Sequence, residues 1–308
     1  MSDKEDVKNK TIVIVGASSG IGRGAAIELA KLGANVVVAA RRSELLDELV
    51  EEIKQNQGNA IAVTADVSER EDISKLEREA IYHYNHIDVW INNVGVGALG
   101  YFWDIPLDVH ERLVDVNLKG LLYGSHVALK HFIERKKGIL INVGSVDSEV
   151  PVALQNTYAA TKSAVLSISS SISEELRLAG YEDCIDVATI MPWAVDTPWW
   201  THAANYSGHA PRMTKPDDAK LVVDEIVKAC TDPEVKMPVG GKAKASNLSH
   251  HLFPQMTNKM TASLAQKESH KGENVADTTG ALFSPMQEGR GVDGDLRERM
   301  EKEDEQES

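Results

Sequence analysis

The strongest constraint on the fold is a glycine-rich turn that lies between an apolar run and a helical pattern near the start of the chain. Residues 11–15 read TIVIV, residues 16–22 read GASSGIG, and a helical pattern then continues to Gly33. The glycines let the backbone approach a pyrophosphate, and the helix N-terminus adds partial positive charge. Strand, turn and helix together predict the phosphate-binding part of a dinucleotide fold, although glycine-rich turns also form for purely steric reasons.

Six further apolar runs follow, each four to six residues long, and helical patterns separate most of them. This alternation predicts an α/β fold, a Rossmann-like doubly wound parallel sheet of about seven strands. We expect one catalytic domain over residues 10–240. The composition then shifts, and residues 241–308 are expected to form an irregular, acidic C-terminal extension that is partly disordered at its end. The six runs are 35–40, 60–65, 88–91, 139–143, 185–190 and 235–239.

Composition excludes several classes of protein. The 308 residues are 42% hydrophobic, which is ample for a buried core, but no apolar run approaches the roughly 20 residues of a membrane span. The charged start, MSDKEDVKNK, is unlike a signal peptide, and two cysteines fit a reducing, cytoplasmic compartment. A net charge of −14 argues against a nucleic-acid partner. The pair His250-His251 has no further ligand at metal-binding spacing, so no metal site is expected.

A candidate acid/base site lies where the run 139–143 gives way to a helical pattern. Ser145 precedes Tyr158 by thirteen residues, and Lys162 follows Tyr158 by four, so the last two share one helix face. A nearby ammonium group favours the phenolate and lowers the pKa of a tyrosine, which then exchanges a proton near neutral pH. Ser145, at a strand end, could donate a hydrogen bond to the same substrate oxygen. Taken alone, the Tyr-x-x-x-Lys pair is close to a chance match.

Two arginines end the second apolar run. In dinucleotide folds this position faces the adenosine ribose, where a carboxylate selects NAD and arginine accommodates a 2′-phosphate. Arg41 and Arg42 therefore favour NADP(H) over NAD(H), the alternative being that both are solvated surface residues. Asp66 ends the third run, where it could accept a hydrogen bond from the adenine amino group or serve only as a turn residue.

Aromatic residues gather after the sixth strand. Residues 193–213 include three tryptophans outside any periodic element, and they predict either a lid over a substrate pocket or a local core that holds a long loop. Small residues recur every four positions at Gly120, Gly124 and Ala128, which favours a homodimer or homotetramer interface, with packing against the sheet as the alternative.

Taken together, these motifs resemble the short-chain dehydrogenase/reductase family, in the branch with a G-x-x-x-G-x-G turn and a Tyr-x-x-x-Lys site. The similarity covers roughly residues 10–240. Two positions depart from the family pattern, since alanine is usual at Val94 and glycine at Trp193. The motifs that carry the resemblance are VGASSGIG at 15–22, Asp66-Val67, NNVG at 92–95, Asn117, Ser145 and Tyr158-x-x-x-Lys162.

The resemblance implies a role for each matching residue. Tyr158 would be the general acid/base, Lys162 would lower its pKa and hold the nicotinamide ribose, Ser145 would orient the substrate oxygen, and Asn117 would support a water-linked proton relay. Val96, Trp193 and Trp199 are expected to line the substrate pocket. The expected cofactor residues are Gly16, Ser18, Ser19, Gly20, Ile21, Gly22, Arg41, Arg42, Asp66, Val67, Asn93, Gly95, Tyr158, Lys162, Pro192, Val195 and Thr197.

The expected function is that of an NADP(H)-dependent oxidoreductase. It would transfer a hydride between nicotinamide and the carbonyl or alcohol carbon of an apolar, bulky ketone, aldehyde or secondary alcohol. One alternative within the same chemistry is a 3-oxoacyl-thioester (acyl-carrier-protein) reductase, which should show a basic docking patch. Alternatives of other kinds are a non-catalytic dinucleotide-binding sensor and an epimerase or dehydratase of the extended branch.

Overall fold

The computed structural model describes residues 7–306, and its centre is a sheet of seven parallel strands in the order β3-β2-β1-β4-β6-β7-β9. This confirms the predicted doubly wound α/β fold. A separate two-stranded sheet pairs β5 with β8. The strands are β1 (Thr11–Val15), β2 (Asn35–Ala40), β3 (Asn59–Thr64), β4 (Val89–Asn92), β5 (Ala98–Leu99), β6 (Gly138–Val143), β7 (Ile185–Pro192), β8 (Ala204–Asn205) and β9 (Met237–Val239).

Helices connect the strands and cover the sheet. A π-helical turn, Asp115–Lys119, joins two of them, and a 3₁₀ turn, Val146–Ser148, follows β6. The helices are α1 (Gly20–Lys31), α2 (Ser43–Gln55), α3 (Arg70–Tyr84), α4 (Leu107–Val114), α5 (Gly120–Arg135), α6 (Asn156–Leu178), α7 (Trp199–His202), α8 (Ala219–Ala229), α9 (Gly240–Leu252), α10 (Pro254–Ser269) and α11 (Leu296–Gln306). None of the helices in the described residues is both long and apolar enough to span a membrane.

Two hydrophobic layers enclose the sheet, because successive side chains of a strand point to opposite faces. Ile12 and Ile14 of β1 belong to the layer that includes α1, α2 and α8. Val13 and Val15 belong to the opposite layer, which includes α3, α5 and α6. Burial on both faces explains why the strands read as continuous apolar runs.

The strand order reverses between β1 and β4, and this determines where a ligand can bind. β1 pairs with β2 on one side and with β4 on the other, so the connections that leave their carboxyl ends diverge. In open parallel sheets that divergence creates a crevice at the carboxyl edge. The glycine turn, Arg41, Asn93 and Ser145 all follow strand ends at this edge.

The small-residue stripe of α5 packs against the sheet. A side chain on Gly124 would come within 2.2 Å of Asn92 Oδ1 and 2.8 Å of Trp90 Nε1, and Ala128 is fully buried in the same layer. The small residues thus allow close packing against the sheet, which was the alternative to an oligomer interface. The homo-oligomer stays a prediction, and this stripe does not support it.

The C-terminal part differs from the expectation in its local structure. Beyond β9, residues 240–252, 254–269 and 296–306 are helical, and irregular chain is confined largely to the stretch between α10 and α11. The sequence pattern is weak because few residues of these helices are buried, among them Ala243, Leu296 and Met300. The division into a catalytic domain over 10–240 and an extension over 241–308 stays a prediction, since α9 continues directly from β9.

Gly124→Ala tests the close packing of α5. We expect it to lower the free energy of unfolding by about 1–3 kcal/mol, because the added methyl group would push apart Asn92 and Trp90, whose side chains hydrogen-bond at 2.8 Å. Urea denaturation measures the change. Gly241→Ala is the control, since a side chain there meets no atom within 4 Å, and an equal loss in both variants would contradict the packing.

Candidate active site

The glycine turn forms a cradle with no room for side chains. Gly16 and Gly20 have φ angles of +92° and +59°, a region that disfavours other residues. A side chain on Gly22 would lie 2.2 Å from the Gly16 carbonyl oxygen and 2.6 Å from Asn93 Nδ2. Asn93 Nδ2 donates to that same carbonyl at 2.8 Å, which ties β4 to the turn. A glycine backbone of this kind at the N-terminus of α1 is suited to bind a pyrophosphate.

A cavity extends from this turn along the carboxyl edge of the sheet. It brings together most of the predicted cofactor residues, whereas Gly22 lies behind the turn and Pro192 and Val195 line an adjacent pocket. Val96, which was expected in the substrate pocket, lies in this cavity instead. The predicted residues on its wall are Gly16, Ser18, Ser19, Gly20, Ile21, Arg41, Arg42, Asp66, Val67, Asn93, Gly95 and Thr197.

The C-terminal extension forms one wall of the cavity. Arg41 donates to the carbonyl oxygens of Ala281 at 2.5 Å and Leu282 at 3.3 Å. Arg42 donates to Gly289 O at 3.2 Å and to Ser19 Oγ at 2.6 Å. Burial lowers the pKa of both arginines, which nonetheless stay charged. The sequence contained no signal for this contact, because the partners are backbone carbonyls about 240 residues downstream.

The carboxylate of Asp196 helps to anchor the extension beside the site. Asp196 is 3% exposed and accepts hydrogen bonds from the backbone of Leu296 at 3.0 Å and from Arg297 Nε at 2.8 Å. Leu296 and Met300 pack on Trp200. Gly20, in the glycine turn, donates its backbone N–H to Gly291 O at 2.8 Å, so the extension also reaches the phosphate cradle.

Asp66 serves both as a turn residue and as part of the cavity wall. Its Oδ1 accepts from the backbone and hydroxyl of Ser68 at 2.9 and 2.7 Å, and its Oδ2 accepts from Arg112 at 2.8 Å. Burial acts to raise the pKa of Asp66, but the Ser68 and Arg112 contacts together lower it, so the carboxylate is ionised. Its turn role is therefore observed, and an additional bond to adenine stays a prediction.

The adjacent pocket brings Ser145, Tyr158 and Lys162 together. Lys162 is 2% exposed, and its Nζ donates to the carbonyl oxygen of Val143, the last residue of β6, at 2.7 Å. The same Nζ lies 5.7 Å from the centre of the Tyr158 ring. Ser145 begins the 3₁₀ turn and accepts at Oγ from the backbone N–H of Asp147 at 3.1 Å. The predicted acid/base residues thus share one site.

Burial controls the proton affinities in this pocket. It raises the pKa of Tyr158 well above its usual range, the charge of Asp147 raises it further, and the Ser145 hydroxyl opposes the rise. Burial lowers the pKa of Lys162 to about 8, while Asp147 acts in the opposite sense. Tyr158 is therefore protonated in the structure, and the expected lowering of its pKa by Lys162 stays a prediction.

Asn117 lies in the π-helical turn between α4 and α5. Its Nδ2 donates to Val96 O at 2.9 Å and to Thr161 Oγ1 at 3.1 Å, and its Oδ1 accepts from Val96 N at 2.9 Å. The side chain therefore joins three segments around the site. A small cavity between Asn117, Val143 and Lys162 connects it with the ammonium group.

The aromatic loop is both a local core and a pocket wall, so each alternative holds for part of it. Trp200 is 8% exposed and packs with Met213. Trp193 and Trp199 line the pocket that contains Tyr158, and the Trp199 ring lies 5.3 Å from the Tyr158 ring; that this pocket binds substrate stays a prediction. Trp199 also extends into the cavity that the glycine turn borders, so it lies between the two spaces.

Comparison with known proteins agrees with this geometry. The short chain dehydrogenase family model matches residues 10–206. The chain belongs to the short-chain dehydrogenase family. It is an NAD(P)-dependent oxidoreductase that acts on a CH–OH group or the corresponding carbonyl.

Individual relatives support the same assignment. The oxidoreductase YxnA of Bacillus subtilis is 36% identical over 269 residues, which cover 86% of this chain and 74% of the relative. The 3beta-hydroxysteroid dehydrogenase 1 of Eggerthella lenta is 34% identical over 196 residues, which cover 63% of this chain and 74% of the relative. A short chain dehydrogenase/reductase from Burkholderia phymatum in complex with NAD superposes with a TM-score of 0.72 at 22% identity, covering 82% of this chain and 96% of that one. This last likeness concerns the fold.

One charged residue of this short-chain dehydrogenase site was missed by sequence reasoning. Asp147 is 3% exposed and lines the pocket with Ser145, Tyr158 and Lys162. Burial raises its pKa to about 7, and Lys162 acts to lower it. The only available signal was the presence of an acid two residues after Ser145, in a segment that is otherwise mostly apolar or small.

Gly97→Ala tests the position of Trp199 in the short-chain dehydrogenase site. A side chain at Gly97 would lie 2.2 Å from Trp199 Cζ2, so the indole ring must leave its position beside Gly97, and its packing on the Tyr158 ring changes. We expect altered tryptophan fluorescence and a loss of kcat/KM of about tenfold to a hundredfold, as displaced catalytic geometry produces. Gly241→Ala again serves as the control, and wild-type fluorescence in Gly97→Ala would rule out the close contact.

Proposed function

We propose that this protein is an NADP(H)-dependent oxidoreductase that acts on an apolar, bulky ketone, aldehyde or secondary alcohol. The observation that carries the proposal is the meeting of Ser145, Tyr158 and Lys162 in one largely apolar pocket that adjoins the glycine-lined cavity. A non-catalytic sensor would need only that cavity. The bound nicotinamide cofactor supplies or accepts the hydride.

The proposed roles follow from the hydrogen-bonding capacity of each side chain. Ser145 donates to the substrate oxygen and fixes its position, while Tyr158 gives that oxygen a proton in reduction and removes one in oxidation. The raised pKa of Tyr158 keeps the phenol protonated before the reaction, as reduction requires. Trp199 covers the phenol on one side and limits access of water.

Lys162 and Asn117 would return the proton to Tyr158. The ammonium group of Lys162 is held by Val143 O on one side and borders the small cavity near Asn117 on the other. A water molecule there would find polar partners in Asn117 and Lys162. We propose that this route links Tyr158 to solvent, and that Lys162 also binds the nicotinamide ribose.

The pocket walls support an apolar substrate. Beyond the polar residues they consist largely of aliphatic and aromatic side chains, which favour desolvated hydrocarbon. The relative from Eggerthella lenta carries the name of a 3beta-hydroxysteroid dehydrogenase, which supports a bulky secondary alcohol or ketone. The apolar wall residues include Val146, Val152, Trp193, Trp199, Trp200 and Met213.

NADP(H) preference rests on Arg41 and Arg42. Both line the cavity next to Ser18 and Ser19, and their hydrogen-bond partners in the extension are neutral carbonyl oxygens, although the charge of Asp66 acts on Arg41. A phosphate group is a stronger acceptor than a carbonyl oxygen and suits the planar guanidinium group. The free cysteines Cys184 and Cys230 support the further proposal of a reducing, cytoplasmic compartment.

Tyr158→Phe tests the enzymatic proposal directly. With a panel of aromatic and steroidal ketones and NADPH, we expect turnover to fall about a hundredfold to ten-thousandfold because the proton donor is lost. NADPH binding, followed by its fluorescence, should stay within about threefold of wild type. Tyr82→Phe is the matched control, since Tyr82 is 81% exposed on α3. Wild-type turnover in Tyr158→Phe would reject the mechanism.

Arg42→Ala tests cofactor selection. We expect kcat/KM for NADPH to fall about tenfold to a hundredfold, because the loss of hydrogen bonds to a charged group has an effect of this size. The value of kcat/KM for NADH should change much less. Arg290→Ala removes the same charge from the extension nearby, where Arg290 is paired with Glu48, and should leave the NADPH/NADH ratio unchanged. A wild-type preference for NADH would overturn the NADP(H) proposal.

A further inference from the structure

We propose that Asp147 binds a hydroxyl group that the substrate carries beside its reacting carbon. The natural substrate would then be a hydroxy ketone, or a diol in the oxidative direction, with an apolar remainder. The inference rests on the proposed function, because it adds a second recognition point to the pocket that contains Tyr158.

Asp147 is held on the pocket wall by its backbone. Its N–H donates to Ser145 Oγ at 3.1 Å, and its carbonyl oxygen accepts from Ser163 Oγ at 3.3 Å. The first contact is made within the 3₁₀ turn, and the second joins the turn to α6, so the backbone of Asp147 is held at the pocket. Asp147 is nevertheless only 3% exposed, so its carboxylate cannot be solvated as a surface acid would be.

The carboxylate has no hydrogen-bond donor within the described part of the chain, residues 7–306, and no ion pair there within 4.0 Å. Lys162, the nearest candidate, donates instead to Val143 O. A buried carboxylate without a donor is costly, which agrees with the pKa of Asp147 being raised to about 7. A substrate hydroxyl that donates to this carboxylate would relieve that cost in the bound complex.

The surroundings favour a neutral donor over a cationic one. The charges of Asp147 and Lys162 influence each other, so a second cation at Asp147 would be repelled by the ammonium group of Lys162. The remaining walls, including Val146 and Val152, offer no compensation for a charged substrate group. A hydroxyl group is neutral and needs no such compensation.

The location of the hydroxyl follows from the turn that carries Asp147. Ser145, Asp147 and Tyr158 line one pocket, and the charge of Asp147 acts on the phenol of Tyr158, so a ligand oxygen held by Ser145 and Tyr158 lies near the Asp147 carboxylate. The second oxygen of the substrate is therefore on the carbon next to the carbonyl or one carbon further. Asp147 thus acts as a specificity residue beside the catalytic set.

The test compares 2-hydroxyacetophenone with 2-methoxyacetophenone, which has a similar oxygen substituent but cannot donate a hydrogen bond. For the full-length protein with NADPH, we expect kcat/KM to favour the hydroxy compound about tenfold or more. In Asp147→Asn and Asp147→Leu this ratio should fall toward one. Glu149→Gln is the matched control, because Glu149 lies on the same segment but pairs with Lys236 at 2.7 Å, outside the pocket. Circular dichroism checks that each variant is folded.

Binding provides a second readout that does not depend on turnover. Trp193, Trp199 and Trp200 line the pocket, so quenching of tryptophan fluorescence measures the Kd of each ketone, and the Kd ratio should follow the same order. If neither ketone is reduced, the proposed function loses support for this class while the Kd ratio still decides the role of Asp147. A wild-type ratio near one would overturn the inference. An equal loss of kcat/KM and of affinity for both ketones in Asp147→Asn would also overturn it.

Discussion

The structure of the site depends on one buried charge. Lys162 is 2% exposed, and its ammonium group needs partners that a hydrophobic interior does not provide. The carbonyl at the end of β6 supplies one at 2.7 Å, and this contact ties α6 to the sheet. Tyr158, one turn earlier on the same helix, is thereby held beside the carboxyl edge, near Ser145. A side chain on the neighbouring Gly95 would come within 3.0 Å of Lys162 Nζ, so this position is tightly packed against the ammonium group.

A second set of contacts completes the cofactor cavity from the far end of the chain. Asp196 accepts a hydrogen bond from the backbone N–H of Leu296. Arg41 and Arg42 donate hydrogen bonds to carbonyl oxygens of the extension, which carry no charge. The extension is therefore part of the active-site architecture rather than an appended tail. Its carbonyls hold the two arginines in place. Because these carbonyls are neutral, the guanidinium groups keep the positive charge that would attract a phosphate group.

Much of the site could be predicted because its chemistry is encoded locally. The glycine turn, the position of Arg41 after a strand, and the four-residue step from Tyr158 to Lys162 each depend on backbone geometry that a short segment determines. Tertiary context decided the rest. Sequence reasoning assigned Val96 to the substrate pocket, but it lies in the cofactor cavity because the Asn117 side chain binds its backbone. It also missed Asp147, whose importance comes from burial.

By itself, the sequence determined the alternation of strands and helices over residues 10–240, the parallel sheet and the residues of the candidate acid/base site, since hydrophobic periodicity, turn chemistry and residue spacing act over a few residues at a time. Only the tertiary structure decided that the extension covers the arginines, that the α5 stripe packs on the sheet, and that Asp147 is buried in the pocket. Those features depend on contacts between distant segments and on the exclusion of water, and neither the spacing nor the composition of a chain records them.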